Sequence, residues 1–179
     1  MRLNQNFYNQ STLKVAQLLL GKFLVRKING KKIIGMITET EAYVGPKDLA
    51  SHASRGKTKR TEIMFGPPGF WYVYLIYGMY YCLNIVTEHK NYPAAVLIRS
   101  VKLPANTALT KKTNGPGKLC REFKIDKNLN NHSAFAKNTN LWIEDRGEKI
   151  KSSQIKKSTR VGVDYAGEYK DKLWRFYLS

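Results

Sequence analysis

The stretch TETEAY carries two glutamates two residues apart, and an aspartate follows at position 48. Side chains alternate between the two faces of a β-strand, so Glu39, Glu41 and Tyr43 would share one face. Three interpretations are open. The acidic residues could mark an exposed strand edge, a two-metal nuclease site, which needs further carboxylates in a chain that has few, or a single general base beside an aromatic pocket. The place of Tyr43 on the face of Glu41 favours the general base.

The second unusual segment is the aromatic run GFWYVYLIYGMYYCLNIVT at residues 69–87. No charged residue occurs between Ile63 and Thr87, so a membrane helix has to be considered. Prolines and glycines interrupt the segment, and its many hydroxyl groups would need partners in lipid. We therefore predict strands, and we expect no membrane partner.

The same run has the two-residue period of β-strands and predicts a hairpin, FWYVYLI followed by MYYCLNIV. Alternation places Tyr72 and Tyr74 on one face and Val73 and Leu75 on the other. Tyr77 falls at the turn, where an aromatic side chain has little packing reason to be. One face of this hairpin is therefore expected to present tyrosines.

The glutamates themselves are expected on the second strand of another hairpin. FLVRKI and KKIIGMITETEAY flank Asn29-Gly30, a strong signal for a two-residue hairpin turn. Strict alternation along the second strand would add Ile33 and Ile37 to the face that carries Glu41. That face would begin apolar and end acidic.

Two helix caps are expected near these strands. Ser11 would cap a helix over TLKVAQLLL, which Gly21 would end. Asp48 would cap a single helical turn carrying His52, just before the basic loop at residues 55–60.

The remaining segments complete a predicted α+β fold. PAAVLIRSV predicts a strand with Leu97 and Arg99 on one face, and LWIED, RVGVDY and LWRFYL predict closing strands. NGPGKLCREFKI predicts a helix whose glycine-rich start could bind phosphate or simply form a turn. We expect one domain over residues 1–179, built on a curved, mainly antiparallel sheet with several short helices.

The charge of the chain points to a polyanionic partner. Its 179 residues hold 31 Lys and Arg against 13 Asp and Glu, a formal net charge of +18. Nucleic acid is the commonest such partner, while an anionic membrane surface and a compositional bias toward lysine are alternatives. Two cysteines without a C-x-x-C motif and three scattered histidines predict no metal site and a reducing compartment. The first residues lack the apolar core of a signal peptide, so we expect a cytoplasmic protein.

Several of these segments resemble the alkyladenine (3-methyladenine) DNA glycosylases. The similarity rests on TETEAYVGPKDLASH, MFGPPGFWYVYLIYGMYYCLNI, AAVLIRSV, NGPGKLC and RVGVDYAGEYKDKLWRFY, in unbroken order from about Ala16 to Leu178. The resemblance implies a monomeric, cofactor-free enzyme that flips damaged purines out of double-stranded DNA and hydrolyses the N-glycosidic bond. The damaged purines would be alkylated or deaminated: 3-methyladenine, 7-methylguanine, hypoxanthine or ethenoadenine.

The resemblance also implies roles for individual residues. Glu41 corresponds to the general base that activates water, and Arg99 would help hold that water or the adjacent phosphate. Tyr43, His52 and Tyr74 would form the walls of the base pocket. Asn84 would crowd the N2 amino group of guanine. A cationic alkylated purine would gain about 1–2 kcal/mol between such aromatic faces.

A further set of residues is implied in DNA binding. Tyr77 would be the wedge of a β-hairpin that fills the gap left by the flipped base. Met64 and Leu97 would pack near that wedge, and Lys118 would clamp a phosphate. The basic loop supplies further candidate phosphate contacts, namely Arg55, Lys57 and Arg60.

Two alternatives remain beside this resemblance. A non-catalytic RNA-binding protein would use the same aromatics for stacking and would not need Glu41. A bifunctional glycosylase would need a lysine nucleophile, but neither of the motifs EAY and YVYLIYGMY contains a lysine. Asp164-Tyr165 and the loop at residues 128–140 depart from the family pattern, which leaves the DNA contacts there open.

Overall fold

A computed structural model of the chain describes residues 1–76, 78–104 and 113–179. Its strands are β1 (Phe23–Ile28), β2 (Lys31–Val44), β3 (Trp71–Ile76), β4 (Tyr80–Val86), β5 (Ala94–Lys102), β6 (Leu141–Glu144), β7 (Ile155–Ser158) and β8 (Arg175–Leu178). Its α-helices are α1 (Gln5–Tyr8), α2 (Thr12–Leu18) and α3 (Pro116–Glu122). Short 3₁₀ turns occupy His52–Arg55, Glu62–Phe65, Lys127–Leu129, Ser152–Gln154 and Gly167–Asp171.

The strands form one eight-stranded sheet in which every neighbouring pair is antiparallel. The main order is β3-β4-β5-β2-β1-β6, and β8 pairs with the end of β2 that carries the glutamates. The predicted α+β class with a curled antiparallel sheet is thereby confirmed. The central position of β2 places its side chains between β5 on one edge and β1 and β8 on the other.

The hairpin of β1 and β2 forms at the predicted turn. Asn29 and Gly30 have φ angles of 47° and 79°, the left-handed values that a tight two-residue hairpin requires. The register runs from Ile28 opposite Lys31 to Phe23 opposite Met36. This pairing fixes the first half of β2, so the second half extends toward β5 and β8.

The two faces of the sheet have different environments. The main core lies on one face, where α2 and α3 pack with residues such as Val15, Leu19 and Phe123. A smaller buried cluster around Met64 and Tyr72 lies on the strands β3 to β5. Val73 belongs to the main core and Tyr72 to the smaller cluster, as alternation along β3 predicts.

Helix α2 begins at the predicted residue but is capped differently. Ser11 makes no side-chain capping hydrogen bond. Instead the backbone N–H and the hydroxyl of Thr12 donate to Glu88 Oε1 at 2.7 and 2.9 Å. Gly21 has a φ of +81° just beyond the helix, which is in keeping with a chain reversal there. The cap is thus a distant carboxylate, which no local pattern identifies.

The C-terminal strand prediction was wrong in one segment. LWIED and LWRFYL contain β6 and β8, but residues 161–165 of RVGVDY form turns. The strand that precedes them is Ile155–Ser158, which pairs with β8. The turns bring the backbone of residue 161 against β2, and this contact matters for the site.

Candidate active site

Paired irregularities in β2 and β5 shape the acidic end of the sheet. Ile37 lies opposite Val101, Glu39 opposite Ser100 and Thr40 opposite Ile98, so the register shifts twice within four residues. Such bulges re-aim side chains and are frequent beside active sites. Ile37 therefore faces the main core, and the expectation that it shares the face of Glu41 was wrong.

Glu41 is a fully buried carboxylate with a partner on each oxygen. Its Oε2 accepts a hydrogen bond of 2.9 Å from the Tyr43 hydroxyl. Its Oε1 accepts one of 2.8 Å from the backbone N–H of Val161 and lies 3.3 Å from Nη1 of Arg99. These contacts fix the orientation of the carboxylate, which does not touch solvent.

The environment tunes the ionisation of this group. Burial raises the pKa of Glu41, and Arg99, the Val161 N–H and the Tyr43 hydroxyl only partly oppose the rise. Burial, reinforced by the charge of Glu41, raises the pKa of Tyr43 well above its usual value, so the phenol stays protonated and donates. A carboxylate with a raised pKa is a better proton acceptor near neutral pH.

Glu39 lies in a different setting, between two arginines. Arg99 Nε donates to Glu39 Oε1 at 3.0 Å, and Arg175 Nη1 donates to the same oxygen at 3.2 Å. Burial alone would lower the pKa of Arg99, but the charges of Glu41 and Glu39 outweigh burial and raise the pKa above its usual value. The guanidinium therefore stays charged. Two carboxylates and two guanidinium groups thus form a network without net charge: Glu39, Glu41, Arg99 and Arg175. Arg99 contacts both carboxylates.

A cavity of about 510 Å³ opens beside this network. Tyr43, Arg99 and Val161 line it, whereas Glu41 lies behind them and adds no surface to it in the described structure. A volume of this size accommodates a small-molecule-sized group such as a nucleotide base. The other lining residues are Ala50, Ser51, His52, Arg60, Met64, Tyr72, Tyr74, Leu75, Ile76, Cys82, Asn84, Ala95, Leu97, Pro116, Gly162, Val163 and Tyr165.

Aromatic rings form one wall of the cavity. The rings of Tyr72 and Tyr74 lie 5.0 Å apart between centroids, and the His52 ring meets Tyr74 edge-on at 4.7 Å. Nδ1 of His52 is hydrogen-bonded to the Tyr72 hydroxyl at 3.0 Å. Burial, followed by the charges of Arg60 and Arg55, lowers the pKa of His52 to about 4. The ring is thus neutral at pH 7, and the wall is aromatic and uncharged apart from Arg60.

Asn84, Leu97 and Met64 lie at the bottom of the cavity, each at most 3% exposed. The side-chain amide of Asn84 donates to the Tyr72 carbonyl at 3.1 Å, which fixes its direction. Leu97 lies opposite both Asn84 and Glu41 in the sheet. Met64 and Leu97 thus line the cavity as buried residues, and their packing near the wedge stays a prediction.

Asp48 has a different role from the predicted helix cap. The turn carrying His52 is capped by Ser51, whose hydroxyl accepts from the Ala53 N–H. Asp48 is instead fully buried and forms a two-point ion pair with Arg160, at 2.6 and 2.8 Å. The capping expectation failed because Arg160 lies more than a hundred residues away in the chain.

The candidate phosphate contacts are all on the surface. Arg55, Lys57 and Arg60 are exposed in the loop beside the cavity, and Lys118 is exposed in the first turn of α3. The guanidinium of Arg60 lies 5.1 Å from the centre of the Tyr74 ring. Tyr77, the expected wedge, lies outside the described residues.

Within the described ranges, no three His, Cys, Asp or Glu side chains are placed to share a metal ion. The same residues include no helix that is long and apolar enough to cross a membrane. Nor does a lysine line the cavity among the residues described there. The charged side chains at the cavity are thus Arg60 and Arg99, with Glu41 behind them.

The site thus combines a buried carboxylate with an aromatic cavity in a basic chain, and the sequence of the whole chain is similar to those of known proteins. The family model described as Methylpurine-DNA glycosylase matches residues 6–179. The chain belongs to the methylpurine-DNA glycosylase family. It is accordingly a DNA glycosylase, a hydrolase of N-glycosyl bonds that acts in DNA repair.

Full-length relatives agree with this family assignment. A Desulfitobacterium hafniense protein is 44% identical over 99% of this chain and 95% of its own length. An Ehrlichia ruminantium protein is 48% identical over 98% and 88%, and one from Methanocella arvoryzae 47% over 98% and 91%. Each of the three is named "Putative 3-methyladenine DNA glycosylase".

Sequence reasoning missed several members of this site. The Val161 N–H is a backbone donor and carries no sequence signal. Arg160 and Arg175 are single arginines in C-terminal segments that we had interpreted only as strands. Tyr72 could have been included, because alternation along β3 already put it beside Tyr74.

Proposed function

We propose that this glycosylase excises alkylated or deaminated purines from duplex DNA by extruding the nucleotide into the cavity and attacking it with water activated by Glu41. The observation that carries the proposal is the environment of Glu41. Its carboxylate is buried and has a raised pKa, and its partners Tyr43, Arg99 and Val161 line the cavity. The relatives named for 3-methyladenine support the choice of purine lesions.

Each residue has a proposed part in the reaction. Glu41 accepts a proton from water as the water attacks the anomeric carbon, and the N-glycosidic bond breaks to leave an abasic site. Arg99, which contacts Glu41 and lines the cavity, holds the water or the adjacent phosphate. Because Glu41 lies behind its partners, Tyr43, Arg99 or Val161 would have to shift for a water molecule to reach the carboxylate.

The pocket walls are proposed to select the base. Tyr43, His52 and Tyr74 stack on the flipped purine, and Asn84 at the bottom crowds the position of a guanine amino group. His52 stays neutral at pH 7, so it does not repel a cationic alkylated purine. Arg60 already covers part of Tyr74, and it would have to move when a base enters.

Duplex binding is proposed to use the exposed basic residues near the cavity. Arg55, Lys57, Arg60 and Lys118 are candidate phosphate contacts. Tyr77 as the intercalating wedge stays a prediction from the sequence. A monomer in the cytoplasm, acting on nucleoid DNA without a cofactor, completes the proposal.

The test is base release from duplexes that each carry one lesion: 3-methyladenine, 7-methylguanine, hypoxanthine or ethenoadenine. We expect release of at least one of these bases with an intact abasic strand as the product, in the presence of EDTA. Strand cleavage, together with a covalent enzyme–DNA adduct when the imine is reduced by borohydride, would point to the lysine-nucleophile alternative. Binding of single-stranded RNA with no base release from any duplex would favour the non-catalytic alternative.

A further inference from the structure

Arg160 joins four segments of the chain around the candidate site. Its side chain is fully buried and forms the two-point ion pair with Asp48. Its Nη1 also donates to the Ala42 carbonyl at 2.9 Å, and its Nη2 donates to the Tyr169 carbonyl at 3.2 Å. The planar guanidinium lies 4.8 Å from the centre of the Tyr43 ring and 5.0 Å from a Trp174 ring.

These contacts converge on the residues that hold Glu41. Ala42, whose carbonyl Arg160 binds, lies between Glu41 and Tyr43 in β2. Tyr43, against which Arg160 stacks, donates to Glu41 Oε2. Val161, the residue after Arg160, donates through its backbone to Glu41 Oε1. Both neutral hydrogen-bond donors to the Glu41 carboxylate are therefore positioned by one guanidinium.

Asp48 makes this arrangement stiff. Its two oxygens accept hydrogen bonds from Nη1 and Nη2 of Arg160. They also accept hydrogen bonds from the backbone N–H groups of Val44 and Ala50. A bidentate arginine–carboxylate pair fixes both the position and the plane of the guanidinium. The stacking on Tyr43 depends on that plane, which a lysine could not reproduce.

We propose that the buried Arg160–Asp48 pair is a positioning device for catalysis, which holds the Tyr43 hydroxyl and the Val161 N–H against the carboxylate of Glu41. The proposal rests on the proposed function, in which Glu41 is the general base. Arg160 acts through other residues and touches neither base nor sugar. The pair is thus distinct from the Arg99 contact, which approaches Glu41 from β5.

Loss of Arg160 is expected to change the pH dependence of base release. The other groups around Glu41 are Arg99 from β5, Glu39 from its own strand and Cys82 from β4, while Arg175, opposite Glu41 in β8, forms its ion pair with Glu39. None of these contacts involves Arg160, so a variant of Arg160 leaves them in place. Loss of the two neutral donors then raises the pKa of Glu41 further, and the acid limb of the rate profile moves to higher pH.

The experiment compares the wild-type enzyme with Arg160→Lys and Asp48→Asn in single-turnover release, between pH 5 and 9, of a lesion base that the wild type excises from duplex DNA. We expect the maximal rate to fall by up to about 100-fold, as small displacements of catalytic groups cause. We also expect the acid limb to move to higher pH, and more so in Arg160→Lys. Binding to a duplex with a tetrahydrofuran abasic analogue should stay within about twofold of wild type, since neither residue is placed at the DNA surface.

Asp145→Asn is the matched control, because it removes an ion pair with Lys22 at the far edge of the sheet. All variants are measured at a temperature where circular dichroism shows them folded, and if Arg160→Lys does not fold, Asp48→Asn decides. A pH profile that superimposes on wild type would overturn the proposal, and so would a loss confined to DNA binding. Glu41→Gln is run in parallel: if it retains base release, the proposed function has failed and not this inference alone.

Discussion

Tyr43 combines two tasks in a single residue. Its ring lines the cavity and stacks under Arg160, while its hydroxyl donates to Glu41. The two tasks can be separated, since removing the hydroxyl leaves the ring. The spacing of Glu41 and Tyr43 in the sequence was sufficient to predict that both lie on one face of a strand, but not that they are hydrogen-bonded.

We predict that Tyr43→Phe moves the acid limb of base release to higher pH. The Tyr43 hydroxyl lowers the pKa of Glu41, so its loss raises that pKa. A general base works when ionised, so activity is present above its pKa and lost as the pH falls through it. The measurement is the single-turnover pH profile. Tyr72→Phe is the control, because its hydroxyl binds His52. An unshifted acid limb in Tyr43→Phe would show that Glu41 does not control the profile.

Asn84 is the residue for which a specificity role is most directly testable. It is 3% exposed at the bottom of the cavity, and its amide is held by the Tyr72 carbonyl. We predict that Asn84→Ser raises excision of guanine, more from mismatches than from matched pairs, because the side chain no longer crowds the amino group at C2. Some loss on hypoxanthine is expected too.

The measurement is base release from matched and mismatched guanine duplexes, with wild type beside the variant. A variant that keeps its hypoxanthine activity but gains nothing on guanine would show that Asn84 does not contact the purine edge. Its role would then be limited to the hydrogen bond that joins β3 and β4.

At the scale of elements, the bulges in β2 and β5 explain one success and one failure of sequence reasoning. Alternation correctly paired Glu41 with Tyr43, because both lie beyond the bulges. It failed for Ile37, which precedes them and faces the main core. A bulge depends on the partner strand, so the sequence of β2 alone does not reveal it.

Long-range contacts account for the other failures. Asp48 has the local pattern of a helix cap, but its partner Arg160 comes from the C-terminal part of the chain. The RVGVDY segment has the composition of a strand, yet its backbone turns so that Val161 reaches Glu41. Hairpins joined by short turns, such as that at Asn29-Gly30, were predictable because their signals are local.

At Gly35, strand β2 packs closely against β5 and the residue that follows α3. A Cβ atom at this position would lie 2.8 Å from a methyl group of Val101 in β5 and 3.2 Å from the ring of Phe123, just after α3. We predict that Gly35→Ala destabilises the protein by about 1–3 kcal/mol through overpacking, which corresponds to a fall in Tm of roughly 3–10 °C.

Thermal unfolding followed by circular dichroism measures this effect. Gly117→Ala is the comparison, because its Cβ would meet the Cβ and ring atoms of Tyr80 at 3.0–3.1 Å, and Tyr80 is 48% exposed instead of buried. Equal Tm values for the two variants would contradict the close packing of β2 against β5 and the helix.

At the scale of the whole molecule, we expect the positive charge to favour the approach to DNA. The formal net charge of +18 is spread over many exposed lysines, and only some of them lie near the cavity. Composition alone predicted a polyanionic partner. It could not separate residues that contact phosphate from residues that are merely solvated, since the distinction depends on where the cavity opens.

We predict that the association constant for duplex DNA falls steeply as the salt concentration rises. In a plot of the logarithm of that constant against the logarithm of the salt concentration, Lys57→Gln should make the slope less negative by about 1. Each neutralised phosphate contributes roughly −0.9 to that slope. Lys31→Gln is the control, because Lys31 lies roughly 30 Å along β2 from Glu41 at the usual rise of a strand. Binding constants at several salt concentrations provide the measurement, and identical slopes for both variants would remove Lys57 from the DNA interface.

The central claim is that Glu41 activates the attacking water, and single-turnover base release by Glu41→Gln tests it most directly. The amide keeps the size of the side chain, so we expect a folded protein that binds lesion-containing duplex as tightly as wild type. Removal of a general base predicts a loss of about 10²–10⁴-fold in the rate. Glu39→Gln, which changes the other carboxylate bound to Arg99, should retain more activity. Near-normal release by Glu41→Gln, with Glu39→Gln inactive instead, would contradict the account.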